Sequence, residues 1–551
     1  MSYPRILATH VKSRIECRLE WLEAEHNSAV NMSRMITTVV AALAFWPALA
    51  SVVAVAPLSP RANTKAGLSY SDVSVSFDVS AGAKESMPLN RQLISVSIEF
   101  CYSVDFLGAA KSPNLFSKQL LQNVKDISGT LPIIRLGGNT QDKAAYCENC
   151  PESMNSTYAP GSTEAIDISF SKGLFTAMNE NMPSNQEYIF GLNLGRNDVE
   201  VPKAELRAAL KYLDQSKVVA YELGNEPDHF TMASYGFRSA DTWNMAAYVQ
   251  QTLDWLPQLS SGKSFQYGSI AASPAVPSDF TLVQALKFGV SKLKQVTIFS
   301  SHAYQADVCT PAHGELVKIE DYVNHMKTVQ YYSAYIGEIA AAKSLGKIYH
   351  MGETSSAACH GKDGVSNTMG GLLWTIDYSF YMATLGLDRI FFHNGRGDYF
   401  YSFWEPIGGS ASSPQPHINP QYYSLLFHAS AISGLNSPRI HRVAHLDTHD
   451  LAHYAIYSGN QLKKMVILNT QLYNTTDTRP AKHVDLSSIF GKKLTVKRLT
   501  APNTIAKTGV TWGNQAVDGK TGKFVGKETW ESVNNGVVDV FASEAVIIEK
   551  N

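Results

Sequence analysis

Val218-Val219-Ala220-Tyr221-Glu222-Leu223-Gly224-Asn225-Glu226-Pro227 reads as an apolar β-type run that stops at a glycine and carries an Asn-Glu pair on its end. Lys347-Ile348-Tyr349-His350-Met351-Gly352-Glu353 repeats the pattern later in the chain. Two carboxylates ending two strands suit glycosidic bond hydrolysis. One gives a proton to the leaving oxygen, and the other attacks or shields the anomeric carbon of an oxocarbenium-like transition state. An amide at Asn225 fits the same chemistry, because it can hydrogen-bond a sugar 2-hydroxyl as charge develops on the ring.

Working outward, the interval between these motifs divides into apolar strand runs separated by amphipathic helical runs, the pattern of a parallel α/β fold. Eight strands are predicted, over 93–102, 131–138, 187–195, 218–225, 264–273, 295–304, 347–353 and 388–394. They specify a (β/α)8 TIM barrel with its active site at the strand C-termini. Glu226 then closes strand four and Glu353 closes strand seven. Helices are predicted over 202–217, with Pro202 in the first turn, and over 242–258 and 319–345. Trp374 falls in a further helical run as a core residue.

After Gly434 the texture changes to β-type runs at 441–457, 463–469, 494–500 and 537–549, punctuated by Gly, Asn and Asp. These predict a C-terminal β-sandwich, joined by an N-terminal strand within 71–79. The expected division is an extension and leader over 1–50, a segment lending a strand to the sandwich over 51–90, the barrel over 91–434 and the sandwich over 435–551.

Each carboxylate has a stated requirement. Glu226, as general acid/base, calls for a raised pKa from apolar surroundings and from the second carboxylate. Glu353, as nucleophile, must stay ionised, with Arg135 at the end of strand two as the neighbour that keeps it so. Retention requires the two carboxyls ~5–5.5 Å apart, and wider spacing means inversion through a water. Glu99, Asn139 and Asp142 end strands one and two, where each either binds a sugar hydroxyl or satisfies loop backbone. The loop Asn394-Gly395-Arg396-Gly397-Asp398-Tyr399 offers backbone N–H groups, a guanidinium and a phenol to an anionic substrate. For Arg396, a solvated loop charge is the competing reading.

Ser97-Ile98-Glu99-Phe100, Arg135-Leu136-Gly137-Gly138-Asn139-Thr140-Gln141-Asp142, Tyr221 to Pro227, Ser301-His302-Ala303-Tyr304 and Gly352-Glu353 occur in that order over residues 70–550. On these motifs the chain resembles the clan of retaining glycosidases with an Asn-Glu acid/base on strand four and a Glu nucleophile on strand seven. Within it the chain is similar to glycoside hydrolase family 79, the β-glucuronidase and heparanase-like enzymes. The resemblance implies that Tyr304 hydrogen-bonds the nucleophile or the sugar, with His302 beside it as support or as a packed core histidine. It also implies that the Gly397–Tyr399 region helps hold a glucuronate carboxylate.

The expected activity is a secreted retaining exo-β-glucuronidase that removes terminal glucuronic acid, 4-O-methylated or not, by double displacement. Another retaining β-glycosidase, such as a β-xylosidase or a heparanase-like endo-β-glucuronidase, stands as the alternative enzyme. Endo cleavage of a polyanion calls for a basic cleft, and the motifs carry no basic cluster. A non-catalytic glycan-binding cell-wall protein is the alternative outside enzymes.

Composition narrows the classes further. In 551 residues, Lys plus Arg number 47 against 48 Asp plus Glu, so nothing points to a nucleic-acid surface or a polybasic membrane patch. The partner implied is a carbohydrate, and the chemistry needs no metal and no organic cofactor. Met32-Ser33-Arg34-Met35 followed by the apolar stretch 36–50, ending Ala48-Leu49-Ala50, reads as a secretory leader cleaved after Ala50, after which no stable membrane association is expected. In an oxidising compartment Cys309 and Cys359, after strands six and seven, are the expected long-range disulfide, and Cys147-Glu148-Asn149-Cys150 a local one. That spacing also suits zinc, but no second ligand pair accompanies it. Asn155 and Asn474 begin glycosylation sequons.

Overall fold

Every one of the eight runs becomes a barrel strand. They are β1 (Ile94–Glu99), β2 (Ile134–Gly137), β3 (Tyr188–Leu192), β4 (Val218–Leu223), β5 (Phe265–Ile270), β6 (Val296–Asp307), β7 (Ile348–Ala358) and β8 (Arg389–Asn394). The structure, a computed structural model, describes residues 70–259, 262–409 and 413–551. The expected leader therefore lies outside the described residues. All neighbours pair in parallel, and β8 closes onto β1 through Ile390↔Ile94 to Asn394↔Ile98.

Strand periodicity explains the barrel interior, because alternate side chains face one side. Ile133, Ile189, Ala220, Ile298 and Phe391 pack together as an apolar plug. Two residues further along the same strands stand Arg135, Gly191, Glu222, Ser300 and His393. The floor of the barrel is thus hydrocarbon and the layer above it is polar. At this level the alternation switches from packing to chemistry.

Helices cover the outside, including Glu200–Tyr212, whose Pro202 lies in the first turn, and Met245–Trp255. Met369–Leu385 is almost wholly buried, with Trp374 in the core as expected. One expected helix is broken. The 319–345 run forms Ile319–Tyr322, His325–Tyr332 and Ile336–Ser344. The first break comes where Asn324 leaves helical geometry to accept the Lys327 N–H, so local capping wins over propagation.

After the barrel come two sheets. The larger runs in the order Met87–Pro88, Pro438–Arg442, Leu451–Ser458, Gln461–Asn469, Glu544–Lys550, Leu494–Thr500, Thr511–Trp512. The smaller pairs Tyr70–Ser74 with Ala481–Asp485 in parallel, and Val537–Phe541 with the latter antiparallel. Val484, Val538, Val540, Met465, Ile467, Val546 and Ile548 fill the space between them. The expected N-terminal strand is therefore present but shorter, because Asp78 accepts from Ser80 and Ala81 N–H and starts a helix, Val79–Glu85. Likewise the 441–457 run splits around a turn at Ala444–Leu446, and the 537–549 run changes sheet at Ser543, whose φ is +54°.

Barrel and sandwich meet through a buried ionic network. His325 Nδ1 lies 2.9 Å from both Asp377 oxygens, and its Nε2 lies 3.1 Å from Asp447 on the sandwich side. Asp447 is held in turn by Arg442 at 2.7 Å and His453 at 3.2 Å. Among the described residues no helix is long and apolar enough to cross a membrane.

Candidate active site

At the end of β4 the chain makes two left-handed steps in quick succession, Gly224 at φ +80° and Glu226 at φ +48°. A Cβ on Gly224 would sit 2.7 Å from the Leu194 side chain, so only glycine allows the turn. Glutamate gains nothing from that conformation, and strain of this kind is held in place by surroundings that over-determine it. Glu226 is oriented by two imidazoles, with His302 Nδ1 2.9 Å from Oε1 and His229 Nδ1 2.9 Å from Oε2.

Glu353 lies midway along β7 rather than closing it as expected, because the strand goes on pairing with β6 as far as Ala358, and it faces the same cavity. One of its oxygens, one of Glu226 and a His302 nitrogen all lie within 4.8 Å of one another. Both glutamates are buried, at 7% and 6% exposure. This separation is short of the ~6.5–9.5 Å that an inverting site leaves for water. The three donor groups have the spacing of a cation site, yet Arg135 on Glu353 and His229 on Glu226 already supply positive charge there.

Arg135 organises the pocket from below. Its Nε bonds Glu222 Oε1 at 2.9 Å and its Nη2 bonds both Glu222 and Asn225 Oδ1, the latter at 2.8 Å. Nη1 bonds Ser97 Oγ at 2.9 Å and Glu353 Oε2 at 2.8 Å. Every donor of the guanidinium is used, and the side chain is fully buried. Glu222 is completed by Ser269 Oγ at 2.7 Å and by Gln266 Nε2.

Tyr304 OH donates to Glu353 Oε1 at 2.8 Å. His393, on β8, lies 3.4 Å from Glu353 Oε2 through Nδ1 and 3.2 Å from Glu99 Oε2 through Nε2. Burial would raise the Glu353 pKa, but His393, His302 and Arg135 together hold it below the ordinary carboxylate value. The imidazolium of His393 is favoured by the same contacts against the opposing effect of burial.

For Glu226 the sequence-based expectation of a raised pKa fails. Burial pushes it up as foreseen, but His229 and His302 outweigh burial and hold it well below the usual carboxylate range. His229 is correspondingly pushed up to about 9, because Glu226 and Asp228 overcome its own burial.

Several expected sugar contacts are placed elsewhere. Asp142 points at backbone, accepting from Leu194 N at 2.6 Å, Gly195 N at 2.9 Å and Asn225 N at 2.8 Å, so it fixes the β3 and β4 ends rather than a hydroxyl. Glu99 accepts Thr140 N at 2.8 Å and borders the cavity through His393. Asn139 accepts from Asn225 Nδ2 at 3.2 Å and donates to Glu164 at the same distance, which extends the Arg135–Asn225 chain toward the rim. Gly397 N–H is occupied by Glu405 Oε2 at 2.8 Å, and Arg396 is paired with Asp105 and Glu405. Neither is open to an anionic substrate as expected. Tyr399 is different: its ring stacks on His360 at 3.9 Å and its buried hydroxyl has no partner.

Sequence reasoning did not single out Glu222, His229, His393 or Glu164. Glu222 had a signal, a lone charge inside the apolar β4 run, and His393 followed Phe391-Phe392 in the same way. His229 sits on a one-turn helix and Glu164 in a loop, with no pattern to mark either. The disulfides Cys309–Cys359 and Cys147–Cys150 form as expected, and Cys101 is free and buried. Asn155 and Asn474 are both exposed.

Comparison with known proteins agrees with this geometry. Residues 453–547 match the glycosyl hydrolase family 79 C-terminal beta domain. A β-glucuronidase of Neurospora crassa is 30% identical over 494 residues, covering 80% of this chain and 86% of its own. One from Aspergillus niger is 29% identical over 521 residues, covering 87% and 94%. Among solved structures, a 4-O-α-L-rhamnosyl-β-D-glucuronidase of Fusarium oxysporum superposes with TM-score 0.72 at 23% identity, over 87% of this chain and 99% of its own. A family 51 α-L-arabinofuranosidase of Bifidobacterium longum shares the fold at TM-score 0.56 and 12% identity, over 84% and 97%.

Proposed function

This chain belongs to glycoside hydrolase family 79, and from that premise we propose that it is a secreted, retaining, exo-acting β-glucuronidase. Glu353 attacks the anomeric carbon, and Glu226 protonates the departing oxygen and then deprotonates the water that hydrolyses the glycosyl ester. The observation that carries the retaining mechanism is the approach of the two carboxylates to within 4.8 Å. Arg135 and Tyr304 support Glu353 as the ionised nucleophile through contacts of 2.8 Å each. Asn225, fixed by Arg135 and Asn139, is the amide for the 2-hydroxyl.

The uronic acid specificity rests on the named relatives and on the chemistry of the rim. With the Gly397 N–H and the Arg396 guanidinium engaged internally, Tyr399 OH is a donor of the expected loop that stays uncommitted. The neighbouring fold that accepts a 4-O-rhamnosylated glucuronide supports a pocket that takes a substituent at O4, methyl included. Secretion is supported by the leader-like 36–50 stretch, by the two disulfides and by the exposed sequons at Asn155 and Asn474.

The test is a panel of 4-nitrophenyl glycosides offered to the purified chain, with Glu353→Ala beside it. Turnover of the β-glucuronide, its absence in the variant, and little turnover of the β-xyloside or α-L-arabinofuranoside are expected. Preference for either pentoside would overturn the uronate assignment, and product of inverted configuration by NMR would overturn the mechanism.

A further inference from the structure

Glu226 has an unusual companion for a group that must deliver a proton. His229 lies on the one-turn helix Pro227–His229 directly after it, with Nδ1 2.9 Å from Glu226 Oε2. The imidazole is about a third exposed, whereas Glu226 and His302 are buried. On its far side Nε2 stands 3.8 Å from Asp228 Oδ2, and Asp228 is itself fixed by the Ala271 and Ala272 N–H groups at 3.1 and 2.8 Å. Tyr235 stacks on the ring at 6.2 Å. His229 therefore touches the acid/base on one side and solvent on another, in an orientation set by a carboxylate and an aromatic ring.

We propose that His229 is the positioning residue that stores the catalytic proton, passing it to Glu226 across the Nδ1···Oε2 contact in the first half-reaction and taking it back in the second. This rests on the glycosidase reading above and deepens it. In glycosylation the His229 N–H bond breaks as Glu226 becomes the carboxylic acid. The proton then goes to the glycosidic oxygen, which keeps the electron pair of its broken bond to C1, while Glu353 forms the ester. In deglycosylation water attacks C1, the ester bond breaks with its electron pair on Glu353, and Glu226 removes the water proton and returns it to His229. One glycoside and one water give one sugar and one alcohol, and the pair ends with the proton it began with.

The charges facing His229 are consistent with such storage. Glu226 and Asp228 border it directly and Glu353 lies across the cavity, so three carboxylates favour the imidazolium, against burial and with His302 as the other cation-capable ring. With the imidazoles in place Glu226 is held well below the usual carboxylate range, so the resting proton sits on His229, which keeps it up to about pH 9. The alkaline limb of the rate profile then belongs to the pair and not to a carboxyl alone.

The experiment compares the parent enzyme with His229→Gln, which keeps a hydrogen-bond donor without titrating, on two β-glucuronides. One carries 4-nitrophenol, which leaves with little protonation, and the other a simple alkyl alcohol, which needs it. The expected result is that the alkaline limb of kcat/KM moves to lower pH by about one unit or more. The alkyl substrate should also lose about 10-fold or more beyond what the nitrophenyl substrate loses. Equal losses on both substrates with an unmoved limb would reduce His229 to a packing role. Should the variant fold poorly, histidine-selective NMR of the parent and of Glu226→Gln replaces it: the His229 ring is expected charged at pH 8 in the parent and neutral in the variant. A neutral ring in the parent overturns the proposal. A parent enzyme that hydrolyses neither glucuronide overturns the glucuronidase reading, a failure distinct from either of these.

Discussion

Arg135 Nη1 stands 2.8 Å from Glu353 Oε2, so the guanidinium rooted on β2 holds the carboxylate rooted on β7. The same head group is shared with Glu222, Asn225 and Ser97. A lysine cannot reproduce this, because it offers donors from a single nitrogen. Arg135→Lys is expected to lower kcat about 10²-fold or more and to cost about 3–5 kcal/mol of stability by leaving Glu222 buried and incompletely paired. Steady-state kinetics and denaturant titration check the two effects separately, and a variant with near-parental kcat would remove Arg135 from the mechanism.

Tyr304→Phe removes the hydroxyl that donates to Glu353 Oε1 while keeping the ring. A bond to the charged form favours ionisation, so its loss raises the Glu353 pKa. The acid limb of kcat/KM should therefore shift to higher pH, with a loss of about 10-fold or more at its optimum. A pH–rate profile of the purified variant reads both, and an unshifted acid limb would contradict the contact.

His325 should make stability depend on pH at the barrel–sandwich seam. Burial opposes its charge, but Asp377 and Asp447 prevail and push it from 6.5 up to about 9. Arg442 and His453 share Asp447, and Tyr454 OH donates to Asp377, so the neighbours are all engaged. A group with a raised folded pKa contributes its full stabilisation below the unfolded value of 6.5 and loses it as pH rises to about 9. The amount is about 3 kcal/mol. Denaturant midpoints should fall across that window in the parent, and His325→Gln should flatten the fall. Parallel curves for the two proteins would show that the histidine does not titrate there.

The two disulfides should differ in weight. Cys309–Cys359 closes 50 residues of sequence and Cys147–Cys150 only 3. On chain-entropy grounds removing the first costs about 4 kcal/mol and removing the second under about 2. Because His360 follows Cys359 and stacks on Tyr399, the Cys309→Ser/Cys359→Ser variant should also raise KM. Thermal melts and saturation curves for the two double-serine variants make the comparison.

Much of this architecture was legible because burial enforces pattern. Short apolar runs, buried on both faces, mark the barrel strands, and a charge in an apolar run, as at Arg135, Glu226 and Glu353, is too costly to keep without a partner. The same rule should have flagged Glu222. What stayed illegible depends on contacts that spacing cannot encode. Whether Asp142 meets a hydroxyl or a backbone amide is decided by Leu194 and Gly195, and whether Arg396 is free is decided by Asp105 and Glu405. The pKa of Glu226 was misjudged for a related reason: its burial followed from the strand pattern, but His302 from β6 and His229 from the turn just after it reverse the sign.

The saturated guanidinium at the centre of the barrel also sets where diversity can arise. With its N–H groups all spent on protein oxygens, Arg135 has nothing left with which to tell one glycan from another, and altering it disturbs four neighbours at once. Under the proposed function, discrimination falls to the loops above, where Glu164, His360 and Tyr399 touch one another through His360. A lineage built on this floor can change its diet by redrawing the rim while its reaction stays the same.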